Sequence, residues 1–394
     1  MNYIFISPNF PKIYSHYVEA LKEQGVHVFG IGDEPFASLN DELKANLDEY
    51  CYVSDLKNTD WMIKTISYLQ NKYGPIDYLE SNNEFWMHND AIYREWFNIP
   101  HGYRPNELAD YQSKSGMKKY FQKAGVKTAR YILVSSLKES LKFIEQVGYP
   151  VFAKPNSGVG AADTFKISNF DDLQRFHDIK PNETYIMEEF LDGSIVSFDG
   201  IANRDSEVVV AFKETFPVPI AEVVNRNLDV FYYAESKMSA DYRAMGERIV
   251  QAFNISSRCF HIELFKMNSD KPGFAKKGEI VALEANLRSP GGDTPDLLNL
   301  VAKTDYYEAY ASMITQNVAH LDNETNLIAF SINRKFNLQY THSSEELMNK
   351  YRDHLKSHGY YSESFRNALG DEFFLFSFDQ TQDNIAEFLE YVHH

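Results

Sequence analysis

The stretch that most constrains this chain lies near its C-terminal third, at residues 280–294, with the sequence IVALEANLRSPGGDT. The two-residue period of a β-strand divides its side chains between a polar face and an apolar face. The polar face consists of Glu284, Asn286 and Arg288, and the apolar face of Leu283, Ala285 and Leu287. Carboxylate and amide oxygens are ligands suited to Mg²⁺, and a guanidinium beside them suits a phosphate or a carboxylate. A solvent-facing strand with an ordinary ion pair explains the same pattern.

The overall charge limits which partners the chain can have. Its 394 residues include 39 basic and 56 acidic side chains, for a net charge of −17. Such a balance argues against a surface for nucleic acid or for an anionic membrane. An anionic ligand then needs a locally basic site. The length predicts two or three domains.

The two cysteines, Cys51 and Cys259, are too few for a disulfide framework and lack the spacing of metal ligands. We expect both to be reduced, which favours a cytoplasmic protein. The N-terminal sequence MNYIFISP shows no signal peptide, and no apolar run of about eighteen residues predicts a membrane span.

The N-terminal quarter of the chain predicts an α/β domain with a parallel sheet, because strands and helices alternate there. The predicted strands are residues 3–7, 26–31 and 77–80, and the predicted helices are residues 13–24 and 60–72. Glu80, Asn83 and Glu84 follow the carboxyl end of the third strand, where open α/β sheets bind ligands. A substrate contact and a capped loop with solvated acids are both open there, and we favour the capped loop.

A glycine-rich segment at residues 156–163 lies between predicted strands at 151–155 and 164–167. Its Gly158-Val-Gly160 resembles the start of a dinucleotide-binding motif, but that motif needs a helix directly after it. Because a strand follows instead, we predict a hairpin whose backbone N–H groups can cover phosphates as a movable lid.

Two lysines lie near this hairpin in sequence-predicted elements. Lys114 belongs to a predicted helix at 107–124, and Lys154 lies in the strand before the glycines. A solvated helix face is the alternative reading of Lys114, which has Lys118 and Lys119 beside it.

A strand at residues 258–265 supplies another acidic side chain. The polar loop after it favours an antiparallel pair with the strand of Glu284, which places Glu263 beside Glu284. Two adjacent carboxylates repel each other unless a cation lies between them, so the pairing independently supports a metal site. His261 shares the face of Glu263, and we expect a hydrogen-bonded structural histidine rather than a catalytic one.

The remaining segments complete an α/β and α+β pattern. Further strands are predicted at residues 131–134, 184–190, 195–203, 208–213, 328–338 and 372–379, and further helices at 136–147, 168–177, 240–253, 296–315, 345–358 and 382–394. We predict four segments, with bounds 1–105, 106–195, 196–320 and 321–394, the last being a small C-terminal α+β appendage.

In this order, the two lysines, the glycine-rich turn, the sequence Glu188-Glu-Phe-Leu191, Glu263 and the E-x-N-x-R stretch resemble the ATP-grasp superfamily. The resemblance covers roughly residues 1–320 and is strongest to carboxylate–amine ligases, the group of D-alanine–D-alanine ligase, biotin carboxylase and L-amino acid ligase. It implies an ATP-grasp fold with an N-terminal parallel-sheet domain.

The resemblance also implies site residues. The implied nucleotide contacts are Lys114, Lys154, Ser157, Gly158, Val159, Gly160, Ala161, Glu188, Glu189, Phe190 and Leu191. The implied metal ligands are Glu263, Glu284 and Asn286, and the implied catalytic residues are Arg288 and Lys154. In many relatives, a glycine follows the hinge segment that binds adenine, and an acidic residue two positions later can reach the ribose of ATP. Here the corresponding Gly193 is followed by Ser194 and Ile195. Glu188, Ser194 or Asp199 then takes that role, or the ribose is held differently.

The activity implied by the resemblance is ATP-dependent joining of two small-molecule substrates, a carboxylate such as an amino acid and an amine. The implied products are an amide or peptide, ADP and phosphate. The implied cofactors are ATP and Mg²⁺, with Mn²⁺ as an alternative ion, and dimerisation is common among such ligases. Two alternatives stay open: an enzyme that makes carboxyphosphate or another acyl phosphate for a non-amine acceptor, and a nucleotide-binding sensor without turnover.

Overall fold

The computed structural model of the chain describes residues 1–158, 163–218, 223, 227–361, 366 and 369–393. Its strands form three sheets, one parallel and two antiparallel, in the mixed α/β architecture that the sequence predicts. The residue bounds of the four predicted segments stay a prediction. Within the described ranges, no helix combines the length and apolar character needed to cross a membrane.

The N-terminal sheet is parallel, and its strand order is β3-β2-β1-β4. Its strands are β1 (Asn2–Ile6), β2 (His27–Gly32), β3 (Glu49–Tyr52) and β4 (Tyr78–Glu80), and its helices are α1 (Tyr14–Glu23), α2 (Asp41–Asn46), α3 (Thr59–Tyr73) and α4 (Met87–Trp96). The sequence pattern did not reveal β3 because its four residues, EYCY, are half-buried or exposed and show no apolar alternation.

The second sheet is antiparallel, with the order β5-β8-β6-β7. Its strands are β5 (Tyr131–Leu133), β6 (Val151–Pro155), β7 (Phe165–Ile167) and β8 (Tyr185–Glu189), and the nearby helices are α5 (Pro105–Tyr111), α6 (Lys114–Lys123), α7 (Leu137–Val147) and α8 (Phe170–Ile179). The predicted pairing of the strands on either side of the glycines is confirmed, since Val151 pairs with Ile167. The helix predicted at 107–124 is two helices, because Ser113 caps a new one by accepting a bond from the Gly116 N–H.

The third sheet has eight strands in the order β13-β12-β9-β10-β11-β14-β16-β15. These are β9 (Gly193–Ala202), β10 (Val208–Phe216), β11 (Val230–Glu235), β12 (Arg258–Met267), β13 (Ile280–Asn286), β14 (Leu327–Arg334), β15 (Leu355–Tyr360) and β16 (Glu372–Asp379). The helices of this part are α9 (Ala240–Ala252), α10 (Thr294–Asn299), α11 (Tyr306–Gln316), α12 (Ser344–Lys350) and α13 (Ile385–His393). The C-terminal strands therefore continue the large sheet through the β11–β14 pair.

The helix predicted at 345–358 is wrong in its second half. A capping box formed by Ser343 and Glu346 starts α12, but the helix ends at Lys350. The chain then forms β15, which pairs with β16. Cross-strand contacts, such as that of the His358 ring stacked on Phe374, favour the strand over the local helical pattern. Similarly, the helix predicted at 296–315 is divided into α10 and α11.

Two hydrophobic cores cover the two faces of the large sheet. One face packs against α1, α10 and α11, and a bond between the hydroxyl groups of Tyr3 and Tyr310 joins the N-terminal sheet to α11. The other face packs against α6 and α9. Because α6 begins with Lys114, this packing brings a lysine to the edge formed by β12 and β13.

Candidate active site

The centre of the candidate site is a pair of acidic residues on neighbouring strands. Glu263 of β12 and Glu284 of β13 are direct antiparallel partners, and His261 is the partner of Asn286. The predicted neighbourhood of the two carboxylates is therefore confirmed. Their carboxylates and the Asn286 carboxamide supply the oxygen ligands that Mg²⁺ prefers, so this donor set fits the ion.

The alternation predicted for this strand is wrong at Leu283. Glu263 pairs with Glu284, but the next residue, Leu264, pairs with Ala282, so Leu283 is the extra residue of a β-bulge. Val281 and Ala282 are both buried as a result, whereas Leu283 is half-buried. The bulge leaves the polar face intact from Glu284 onward.

Lys114 connects this acidic pair to the glycine-rich segment. Its amino group lies 3.2 Å from Glu284 Oε1 and donates to the carbonyl oxygen of Gly158 at 3.0 Å. Asn156 holds the start of α6 in place, because its backbone and side-chain oxygens accept bonds from the N–H groups of Lys114 and Ser115. Lys114 is buried, which excludes the solvated helix face considered from the sequence.

Lys154 and Lys118 share the carboxylate of Glu188. Lys118 Nζ lies 2.5 Å from Oε1 and Lys154 Nζ lies 2.7 Å from Oε2. Burial alone would raise the pKa of Glu188, but the two lysines outweigh it and lower the pKa to about 2. Burial acts to lower the pKa of Lys154, and the opposing pull of Glu188 and Glu284 raises it overall. The Glu188 side chain is thus an ion-pair partner of both lysines.

The segment Glu189-Phe-Leu191, which the resemblance implies as a nucleotide contact, is held by a second group of ion pairs. Arg130 and Lys271 both contact Glu189 Oε2, at 2.6 Å and 2.9 Å. Lys271 also donates to the carbonyl oxygen of Phe190 at 2.6 Å, and Leu191 is buried. The side chain of Glu189 is therefore engaged with cations, and the Phe190 carbonyl oxygen is engaged with Lys271.

The glycine-rich segment is only partly described. Ser157 forms an isolated bridge with Ser113, and Gly158 has a φ of 116°, which favours glycine. The predicted contacts Val159, Gly160 and Ala161 lie outside the described residues.

Arg288 follows β13 and reaches the N-terminal domain. Its Nη1 donates to the carbonyl oxygen of Ser289 at 2.8 Å, and its Nε lies 3.5 Å from Glu84 Oε2. Burial raises the pKa of Glu84, although Arg288 opposes this effect. The loop after β4 therefore contributes an acidic group beside the arginine.

The preferred reading of that loop as solvated acids is wrong for Glu80 and Glu84. Glu80 is buried, accepts a bond from Arg258 at 2.7 Å and lies 2.6 Å from Arg94. Asn83 has the expected capping role, because its Oδ1 accepts a bond from the Phe85 N–H. Glu80 is a link between domains, and Glu84 faces the site.

A buried polar row extends from Glu263 into the large sheet. His261 Nε2 lies 3.2 Å from Glu263 Oε1, and its Nδ1 lies 2.5 Å from Asp199 Oδ1. Burial lowers the pKa of His261, but Asp199 more than compensates and holds it well above the usual range. His261 is hydrogen-bonded, as expected, and Asp199 is enclosed by His261 and Ser197. Of the residues considered for the ribose contact, Asp199 is thus engaged within this row, whereas Ser194 is partly exposed.

Four residues around the site were not singled out from the sequence: Lys118, Arg130, Glu214 and Lys271. The position of Lys118 was detectable, because a residue four places after Lys114 lies on the same helix face. Glu214 lies in β10 and no local motif marks it, since only strand pairing brings it to the row of His261.

No protein-family model matches the sequence. An L-arginine-specific L-amino acid ligase from Bacillus subtilis is 23% identical over 255 residues, which are 62% of this chain and 59% of that relative. The chain therefore spans about three fifths of the length of this curated relative.

Solved structures match over nearly the whole chain. The biotin carboxylase domain of Hydrogenobacter thermophilus 2-oxoglutarate carboxylase, in complex with MgADP, ADP and bicarbonate, has a TM-score of 0.70 and 14% identity, covering 96% of this chain and 86% of that one. L-amino acid ligase from Bacillus licheniformis has a TM-score of 0.68 and 14% identity, covering 99% and 96%. The fold is thus that of ATP-grasp proteins, and the matched proteins are carboxylate–amine ligases of this type or their structural neighbours. In sequence and in fold, this chain is therefore similar to ATP-grasp ligases.

Proposed function

We propose that this protein is an ATP-dependent ligase that joins a carboxylate, in particular that of an amino acid, to an amine. The observation that carries the proposal is the Glu263–Glu284 pair with Lys114 at its edge and Lys154 nearby. Phosphoryl transfer needs carboxylates for a metal and cations for phosphates side by side, because it depends mainly on positioning and charge stabilisation. The amino acid ligases that resemble this chain in sequence and in fold support the amino-acid substrate.

Each residue has a defined part in this proposal. Lys114 and Lys154 bind ATP phosphates, and Lys154 exchanges its ion pair with Glu188 for a phosphate oxygen. Arg288 neutralises charge on the transferred phosphoryl group and on the substrate carboxylate. Glu263, Glu284 and Asn286 would hold Mg²⁺, or Mn²⁺ in its place, and the bound ion would supply positive charge to the phosphate oxygens.

The reaction has two steps. A carboxylate oxygen of the first substrate attacks the γ-phosphorus of ATP, and the bond to ADP breaks to give an acyl phosphate. The amine nitrogen of the second substrate then attacks the acyl carbon, inorganic phosphate leaves and the amine proton is released. Exclusion of water protects the acyl phosphate between the two steps.

We infer the cellular compartment from the two cysteines and the oligomeric state from a structural neighbour. Cys51 and Cys259 are both free, which supports a reducing compartment such as the cytoplasm. A homodimer is proposed on family grounds, since the biotin carboxylase neighbour is described as a dimer.

The test is a coupled assay of ADP and phosphate release with ATP, Mg²⁺ and a pool of amino acids. We expect release that depends on a carboxylate substrate, and a hydroxamate product when hydroxylamine replaces the amine. Mass spectrometry of the mixture identifies the amide product. Nucleotide binding without ADP release in any mixture contradicts the ligase and favours the sensor.

A further inference from the structure

The polar row of β12, β9 and β10 ends at a carboxylate that the proposed reaction does not use. Glu214 Oε2 lies 3.9 Å from His261 Nδ1, and the other nitrogen of the same ring contacts Glu263. One imidazole ring therefore separates Glu214 from the proposed metal ligand. The atoms of one amino acid can bridge such a span.

Neither carboxylate oxygen of Glu214 accepts a hydrogen bond from a donor among the described residues, and the Asp199 carboxyl group is its neighbour. Its side chain is fully buried, and its backbone N–H donates to Ser197 Oγ at 3.2 Å. The adjacent Lys213 cannot serve it, because Lys213 lies on the other face of the strand and pairs with Glu235 at 3.3 Å. The His261 ring lies 3.9 Å away, beyond hydrogen-bond distance, so an occupant that donates hydrogen bonds would relieve the cost of burying this carboxylate.

The Tyr232 hydroxyl lies 3.4 Å from Thr294 Oγ1, so the preceding residue, Asp293, is a second acid near this hydroxyl. Both Glu214 and Asp293 act electrostatically on the Tyr232 hydroxyl. Asp293 and Asn333 are both neighbours of the Tyr361 hydroxyl. We call Glu214, Tyr232, Asp293, Asn333 and Tyr361 the Glu214 cluster. It contains two carboxylates and no lysine or arginine, so its chemistry selects a nitrogen cation.

We propose that the Glu214 cluster binds a positively charged nitrogen group of the amino-acid substrate, with Glu214 as the principal acceptor. This inference rests on the proposed function, because the substrate carboxylate is placed beside Arg288 and the Glu263–Glu284 pair. The cation comes either from the α-ammonium group or from a basic side chain. Glu214 is thus a specificity-determining residue.

The experiment compares matched substrates in the wild type and in Glu214→Gln. Alanine against propionate tests the α-ammonium group, and lysine against norleucine tests a side-chain cation. We expect the wild type to prefer the cationic member of one pair, and Glu214→Gln to reduce that preference roughly 10- to 100-fold while KM for ATP stays unchanged. Glu235→Gln, on the opposite face of the neighbouring strand, is the matched control and should retain the preference.

Equilibrium binding of the same pairs, in the presence of a non-hydrolysable ATP analogue, keeps the test independent of turnover. A wild type that binds amino acids but releases no ADP refutes the proposed function alone. An unchanged preference in Glu214→Gln, or an equal loss for both members of a pair, overturns the inference. If Glu214→Gln does not fold, Asp293→Asn is measured in its place and should weaken the same substrate preference.

A metal ion is the competing occupant, since Asp199, Glu214 and His261 could hold one. Metal analysis of the purified protein distinguishes the two. A bound ion that is lost in Glu214→Gln overturns the proposal, whereas protein without an ion at this position is the expected result.

Discussion

Glu263 and Glu284 are direct partners across two antiparallel strands, and the amino group of Lys114 lies 3.2 Å from Glu284 Oε1. The acid proposed to bind a metal is therefore also the acid that pairs with the lysine proposed to bind phosphate. Replacing the charge of Glu284 should disturb both functions at once, although the strand pairing that positions it depends on backbone bonds.

The first prediction concerns Glu284→Gln. We expect turnover to fall by roughly 100-fold or more, because a neutral amide is a poor substitute for a charged metal ligand at a site where charge develops. The melting temperature should stay close to that of the wild type, since Gln has nearly the same shape. Glu279→Gln is the control, because Glu279 pairs with Lys127 at the surface. ADP release at the wild-type rate in Glu284→Gln would disprove the metal assignment.

The second prediction concerns Lys154→Ala, which should weaken ATP binding roughly 10- to 100-fold, as expected for loss of a charged hydrogen bond. Lys118 still pairs with Glu188 in this variant, so the fold should be retained. Titration calorimetry with a non-hydrolysable ATP analogue measures the affinity. Lys142→Ala removes an exposed lysine that pairs with Glu139 and serves as the control. Equal affinities of Lys154→Ala and the wild type would move the phosphate site elsewhere.

The third prediction is a pH dependence of stability that arises from Glu188. Its pKa is about 2 in the folded protein, against a reference value of 4.5. Because the folded pKa is the lower one, the stabilisation is fully present above pH 4.5 and is lost as the pH falls toward 2. The difference corresponds to roughly 3 kcal/mol. Glu188→Gln should therefore lose less stability than the wild type between pH 5 and about pH 3 in urea unfolding. If the free energy of unfolding of Glu188→Gln and of the wild type changed in parallel with pH, Glu188 would not be the origin of the pH dependence.

The paired acids show what a sequence pattern can predict. The period of two in β13 and the polar loop after β12 are local features, so they predicted the Glu263–Glu284 pair correctly. The hairpin of β6 and β7 was predictable for the same reason, because strand-forming residues flank the glycines. In these cases local preference and tertiary structure agree.

Residues decided by distant contacts could not be predicted in this way. The bulge at Leu283 depends on register with β12, and β15 forms because β16 offers a partner to a segment with a helical pattern. Glu214 resembles a surface residue of a half-polar strand until β9 and β12 pair beside it. The ion pair of Glu80 with Arg258 joins residues 178 positions apart.

The fourth prediction concerns that domain link. Glu80 Oε1 accepts a bond from Arg258 and lies 2.6 Å from Arg94, and both arginines are almost completely buried. Glu80→Gln leaves two buried guanidinium charges without their main counter-ion, so the free energy of unfolding should fall by about 3–5 kcal/mol. The control is Glu324→Gln, which breaks an exposed pair with Arg243 and should cost no more than about 1 kcal/mol. Urea unfolding at neutral pH measures both, and a loss below about 1 kcal/mol in Glu80→Gln would show that the arginines are compensated by other groups, such as Asp90.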